Sequence, residues 1–174
     1  GKTEVYLRAA AEALRLGRQV LYLVPEIALA TQAIAQLRER FGRNLAVLHS
    51  ELPPSERLQT FVRIRKGEIP VVLGARSAVF APLVDLGLII MDEEHEASYK
   101  QESAPRYHAR SLVRRLAASH RCPYVLGSAT PSLETWQRVL EGRYRRLNLS
   151  QRIGGGSMPT LRVVDMNRQP KVRG

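Results

Sequence analysis

Cysteine is nearly absent. Cys122 is the only one, which excludes an internal disulfide and any zinc site built from clustered cysteines. A lone thiol suits a reducing cytoplasm. Long apolar runs are missing too: no stretch approaches the roughly 20 residues of a membrane-spanning helix, and no signal-peptide pattern opens the chain. No membrane partner is expected. Acid is scarce relative to base, with 16 Asp and Glu against 27 Lys and Arg and a formal charge of +11. That balance favours a polyanionic partner such as nucleic acid. The excess is uneven. From Arg143 onward eight Lys and Arg face one acid, Asp165, and a solvated basic tail is the plainer reading of that stretch. With 174 residues, 44% apolar and 25% charged, the rest suits one globular domain with a substantial core.

Short apolar runs alternate with amphipathic stretches. Helices are expected over 3–16, closed by Gly17, over 27–41, ending at Gly42, and from the Pro53-Pro54-Ser55-Glu56 turn to Lys66, with Ser55 as cap. Further helices are expected over 107–120 and 132–141. Strands are expected over 19–24, 45–48, 70–74, 86–92 and 123–127. This alternation predicts an α/β fold, a parallel sheet with helices on both faces. Gly154-Gly155-Gly156-Ser157 reads as a flexible joint, and Leu161 to Asp165 as one more strand at an edge.

The most informative stretch is Leu88-Ile89-Ile90-Met91 followed by Asp92-Glu93-Glu94-His95. The apolar run suits a strand buried on both faces. Unpaired carboxylates cannot continue into a core, so they belong at the carboxyl end of the strand, where open α/β sheets bind ligands. An apolar strand ending in Asp-Glu is the Walker B arrangement, Asp for Mg²⁺ and Glu for the attacking water. About 90 residues earlier, Gly1-Lys2-Thr3 opens a helix, as the end of a phosphate-cradling P-loop does, with Lys reaching the phosphates and the Thr hydroxyl on Mg²⁺. On this reading the chain begins inside the P-loop. The other strand ends carry Pro25-Glu26, Arg76-Ser77 and Ser128-Ala129-Thr130. Their residues can contact phosphates or the carboxylates, or serve only as turns and caps. Between Ala97 and His108, Tyr99, Lys100, Arg106 and Tyr107 interleave aromatic and basic side chains, as a single-strand stacking surface would. The alternative is a surface loop whose tyrosines pack on a neighbouring helix.

Taken together, Gly1-Lys2-Thr3, Leu23 to Leu29, Gly74 to Pro82, Asp92 to His95 and Gly127 to Ser132 stand in the order and spacing of motifs I, Ia, Ib, II and III of superfamily 2 helicases. Their wording resembles the bacterial replication-restart branch, over nearly the whole chain to about Asp165. The resemblance implies a P-loop NTPase of RecA-like fold, with residues 1–150 as the first motor lobe and 151–174 as a basic connection toward a second. It implies ATP and Mg²⁺ as cofactors, with zinc only in other parts of the parent protein, and a 3′–5′ helicase acting on single-stranded and forked DNA. Primosome and single-strand-binding proteins are the implied partners, in the bacterial cytoplasm and at the nucleoid.

By the same resemblance Gly1, Lys2 and Thr3 hold the nucleotide. Thr3 and Asp92 hold Mg²⁺, and Glu93 activates water. Glu94, His95, Ser128 and Thr130 couple nucleotide state to DNA, although a surface histidine with a local carboxylate is the bland alternative for Glu94 and His95. Pro25, Glu26, Arg76, Ser77, Tyr99, Lys100, Arg106 and Tyr107 meet DNA. A lobe without its partner is expected to be inactive alone. The strand preceding the P-loop is expected to be central, so that its absence exposes apolar neighbours and unpaired edges. Another superfamily 2 translocase, or a non-catalytic basic DNA-binding module, remain the alternatives.

Overall fold

The computed structural model describes residues 1–25, 32–49 and 51–149. Along them run α1 (Lys2–Arg15), β1 (Gln19–Leu23), α2 (Gln32–Phe41), β2 (Leu45–Leu48), α3 (Pro54–Arg65), β3 (Val71–Gly74), β4 (Leu86–Met91), β5 (Lys100–Gln101), β6 (Tyr107–His108), α4 (Ala109–His120), β7 (Tyr124–Leu126) and α5 (Leu133–Leu140). Five strands form one sheet in the order β2-β3-β1-β4-β7, and all its pairs are parallel. Strands β5 and β6 form a small antiparallel pair.

The strand sequences explain the layering. Successive side chains of a strand point to opposite faces, so a central strand needs apolar residues at every position. Val20 and Tyr22 of β1 join Leu88 and Ile90 of β4 in a core under α1 and α2. Leu21 and Leu23 join Ile89 and Met91 in a second core that takes in Val113 of α4 and Ile64 of α3. Helices therefore cover both faces, as the alternation predicts. No helix among the described residues is long and apolar enough to cross a membrane.

Helix ends agree with the sequence at Gly17 and Gly42 and depart from it elsewhere. Gly17 sits at φ +75° after α1, its N–H bonded to Leu14 O while Arg18 N–H reaches Ala13 O. This is the double closure that a left-handed glycine permits. Ser55, expected as a cap, lies inside α3. Pro53 is the N-cap, with no side-chain hydrogen bond, and Pro54 follows it, because the fixed φ of proline suits the first helical turn. The helix expected over 107–120 begins only at Ala109. Tyr107 and His108 pair with β5, and the Nδ1 of His108 accepts from Arg110 N–H as the cap of α4. Of the helix expected over 27–41, the part from Gln32 is observed. Residue Glu26, the joint at 154–157 and the strand at 161–165 lie outside the described residues.

Strand β7 is an edge, half-buried at all three residues, whereas β4 is buried throughout. At the amino ends of the strands, buried Gln19 uses both ends of its amide. Its Nε2 donates to Ile64 O and Ile69 O, and its Oε1 accepts from Val84 N–H and Asp85 N–H.

Candidate active site

The carboxyl ends of β1, β4 and β7 hold the charged residues together. Beyond Met91 the chain stays attached to both neighbours. Asp92 N–H donates to Leu23 O, Gly127 N–H to Met91 O, and Glu94 N–H to Gly127 O. Between them Glu93 turns through φ +44°, a left-handed conformation uncommon for a residue with a Cβ. The helix α1 starts beside this turn with Gly1 at its N-cap and no capping side chain. Lys2 Nζ lies 2.5 Å from Glu93 Oε1 and 3.8 Å from Asp92 Oδ1. Residues 91 positions apart in sequence thus share one ion-paired cluster.

Asp92 is held from three sides. Its Oδ1 accepts from the Tyr6 hydroxyl at 3.0 Å and from Glu93 N–H at 3.0 Å. Its backbone carbonyl accepts from the Tyr99 hydroxyl at 2.7 Å. Burial and the nearby Asp92 carboxylate push the Tyr6 hydroxyl pKa far up, and burial does the same for Tyr99; both are therefore donors at any ordinary pH. Among the described residues, Asp92 Oδ2 and the Thr3 hydroxyl take no hydrogen bond. One free carboxylate oxygen beside a lysine at an uncapped helix start fits a Mg²⁺–phosphate group, while Thr3 lines a cavity with Gly1, Glu4 and Arg40. Hard oxygen ligands suit that ion, which keeps several waters and binds through one or two carboxylates plus phosphate.

Glu94 is a buried charge rather than a surface one, with 1% of its side chain exposed. Its carboxylate accepts from Ser132 N–H (2.7 Å), Ser132 Oγ (3.0 Å), Thr135 Oγ1 (2.9 Å) and Arg110 (2.6 Å). Burial pushes its pKa up, but the Ser132 N–H, Arg110 and Thr135 bonds outweigh that and hold it below the ordinary carboxylate value. Arg110 also donates to the hydroxyls of Ser132 and Thr135. The knot ties the end of β4 to the starts of α4 and α5. The roles of Arg110 and Thr135 went unread in the sequence. The one available signal is chemical: a buried carboxylate requires a cation.

His95 does meet the expected hydroxyls. Its Nδ1 is 2.7 Å from Ser128 Oγ, and its Nε2 is 3.5 Å from Thr130 Oγ1. The same Nδ1 is 3.7 Å from Glu93 Oε2, so one ring spans the carboxylates and the Ser128-Ala129-Thr130 turn.

The expected DNA-facing residues divide. Pro25 is buried at the end of β1, and Ser77 is exposed. Arg76 donates to Ser98 O and Lys100 O and lies 5.9 Å from the Tyr107 ring centre. Lys100 is exposed and pairs with Glu102, and Arg106 donates to Glu102 O. Tyr99 is a correction. It is fully buried, its hydroxyl spent on Asp92 O, and its ring has no face left for a base. Its apolar body is worth more in the core than exposed. Tyr107 packs edge-on against the exposed ring of Phe80, centres 5.2 Å apart. Phe80 is an aromatic that the sequence reading passed over, although it sits only three residues beyond Ser77.

A family model described as DEAD/DEAH box helicase matches residues 1–139. The chain is 53% identical to the replication restart protein PriA of Treponema pallidum, over 97% of this chain and 26% of that protein. It is 46% identical to PriA of Bacillus subtilis, over 97% of this chain and 21% of that protein. The chain thus spans about a quarter of the length of these relatives. Among solved structures it is similar to the DUF1998 helicase MrfA bound to DNA, with a TM-score of 0.51 and 16% identity, over 82% of this chain and 19% of that one. That likeness concerns the fold alone.

Proposed function

The chain belongs to the DEAD/DEAH box helicase family, and from this we propose that residues 1–150 are the ATP-binding motor lobe of a 3′–5′ DNA helicase that unwinds forked DNA in replication restart. The observation that carries the reading is the meeting of Lys2 with Asp92 and Glu93. Similarity to the PriA proteins supports the restart role.

In this reading Gly1, Lys2 and Thr3 bind the phosphates. Lys2 leaves Glu93 for the phosphate oxygens, exchanging one anion for another, and thereby frees the Glu93 carboxylate. Thr3 and Asp92 hold Mg²⁺, which supplies charge neutralisation at the phosphates when bound. Glu93, fixed by its left-handed turn, orients a water and takes its proton. Glu94 stays in its knot and keeps the turn in place. His95 carries the state of Glu93 to Ser128 and Thr130. Arg76, Ser77, Lys100, Arg106 and the Tyr107–Phe80 pair form the DNA side, with Pro25 and Glu26 at its border. Contacts of this kind position a strand without reading its sequence. Residues 151–174 are the basic connection to a second lobe, whose arginine would complete the site. The lobe alone is inactive or nearly so. Primosome and single-strand-binding proteins, zinc held elsewhere in the parent, and a place at the bacterial nucleoid complete the proposal.

Calorimetry with ATP and Mg²⁺ tests the site. Lys2→Ala should weaken binding by at least about tenfold, in keeping with the loss of a charge-assisted bond. Equal affinity in both proteins would refute the assignment of Lys2, whereas salt-sensitive DNA binding that Lys2→Ala leaves unchanged, with no ATP binding, would favour a basic DNA-binding module.

A further inference from the structure

We propose that Tyr6 is a positioning residue for Asp92, and that the glycine at 127 exists to let its hydroxyl through. The inference rests on the reading of Asp92 as a Mg²⁺ ligand and adds to it a residue that the motif does not name. Tyr6 follows Lys2 by four positions on α1, so the two share a face of the helix. One turn of helix therefore presents the phosphate-binding cation and, beneath it, the donor that reaches Asp92. Tyr6 is only 3% exposed, and its ring stands edge-on to Tyr22, centres 5.7 Å apart. For packing alone a phenylalanine would serve. A buried hydroxyl is costly unless it finds a partner, and that of Tyr6 finds Asp92 Oδ1 at 3.0 Å.

The space for this contact is made on another strand. A Cβ built at Gly127 would overlap the Tyr6 hydroxyl and stand 2.7 Å from Tyr6 Cζ and 3.2 Å from Asp92 Oδ1. No residue with a side chain fits there while Tyr6 keeps its place. The result at Asp92 is asymmetric. Oδ1 holds the Tyr6 hydroxyl and Glu93 N–H, and Oδ2, unpartnered among the described residues, is the oxygen left for an ion. Hydrogen bonds from such outer partners fix the direction of a metal-binding group, and their loss typically costs 10–100-fold in metal affinity. Tyr22 supplies the internal control. It is equally buried and adjacent, yet its hydroxyl has no partner among the described residues.

The test is the Mg²⁺ concentration needed for half-maximal ATP binding by the full chain, measured by calorimetry beside ATP affinity without metal. Tyr6→Phe should raise the Mg²⁺ requirement about tenfold, leave metal-free affinity as it was and lower the melting temperature by only a few degrees, the scale of one lost hydrogen bond. Gly127→Ala, which drives Tyr6 from its place, should shift the requirement the same way. Tyr22→Phe should not move it. A wild-type Mg²⁺ requirement in Tyr6→Phe, while Lys2→Ala still weakens binding, would overturn the inference and leave the proposed nucleotide site standing. Nucleotide binding by the wild-type chain that ignores Mg²⁺ would overturn both.

Discussion

Arg110→Ala should lower the stability of the domain by about 3–5 kcal/mol, because removing one partner strands a buried charge. In a domain of this size that corresponds to a fall of roughly 10 °C in melting temperature. Glu94 would keep its hydrogen bonds from Ser132 and Thr135 but lose the only cation in contact with it among the described residues. Replacing both Glu94 and Arg110 by leucine should cost less than the two single losses added together, since neither ion is then left alone. The same knot sets an acid limit. The Glu94 pKa lies below its ordinary value of 4.5 in the folded protein, so the unfolded chain takes up the proton first as pH falls. The stabilisation is therefore complete above that value and is lost as pH drops through the folded pKa. Denaturant midpoints measured between neutral and acid pH should fall in the wild type and fall less steeply in Glu94→Gln. A midpoint unaffected by Arg110→Ala would mean that the knot is ornamental.

Glu93→Gln should reduce ATP hydrolysis in the whole protein by about 10²–10⁴-fold, the usual scale for removing a general base, while ATP still binds. The amide preserves the size of the side chain and tolerates the φ +44° turn as well as the carboxylate does, so misfolding is not the expected outcome. Removing the charge also frees Lys2 from its 2.5 Å partner, and binding should hold steady or tighten. DNA-stimulated phosphate release, compared with nucleotide affinity in the same preparation, separates the two effects. A hydrolysis rate within threefold of wild type would remove Glu93 from the chemistry.

Glu93 and Glu94 lie in a stretch of sequence whose general character could be read directly. Leu88 to Met91 is apolar at every position and halts at three carboxylates, so the strand and its functional end follow from the cost of burying charge. Lys2 could be read only once its helix start was paired with that strand end. What could not be read was which partner each carboxylate takes. Asp92, Glu93 and Glu94 look alike in sequence, yet one takes tyrosine, one takes lysine and one is buried against Arg110. Those fates depend on where α1, α4 and α5 land, which no local pattern encodes. Tyr99 and Tyr107 stand in the same interleaved stretch, and only the fold sends the first inward and leaves the second at Phe80. The late start of α4 has a similar cause: a His108 ring acting as a cap overrode a helical pattern that continued through Tyr107. Ser55 misled because two prolines before it had already fixed where α3 begins.

The amide of Gln19 gives the far end of the sheet a different character from the end that holds the charges. Val84 and Asp85 lie in an irregular stretch between β3 and β4, and backbone N–H groups in such stretches ordinarily trade hydrogen with solvent through small local openings. These two are bonded to a side chain planted in the core. Releasing them requires Gln19 to withdraw and to abandon the carbonyls of Ile64 and Ile69 as well. Deuterium should therefore enter the Val84 and Asp85 amides as slowly as it enters β1, a loop keeping the time of a strand. Arg18 adds to this end by donating to Asp85 Oδ1, Leu86 O and His120 O, so the amino ends of the strands form a fixed floor beneath the charged end.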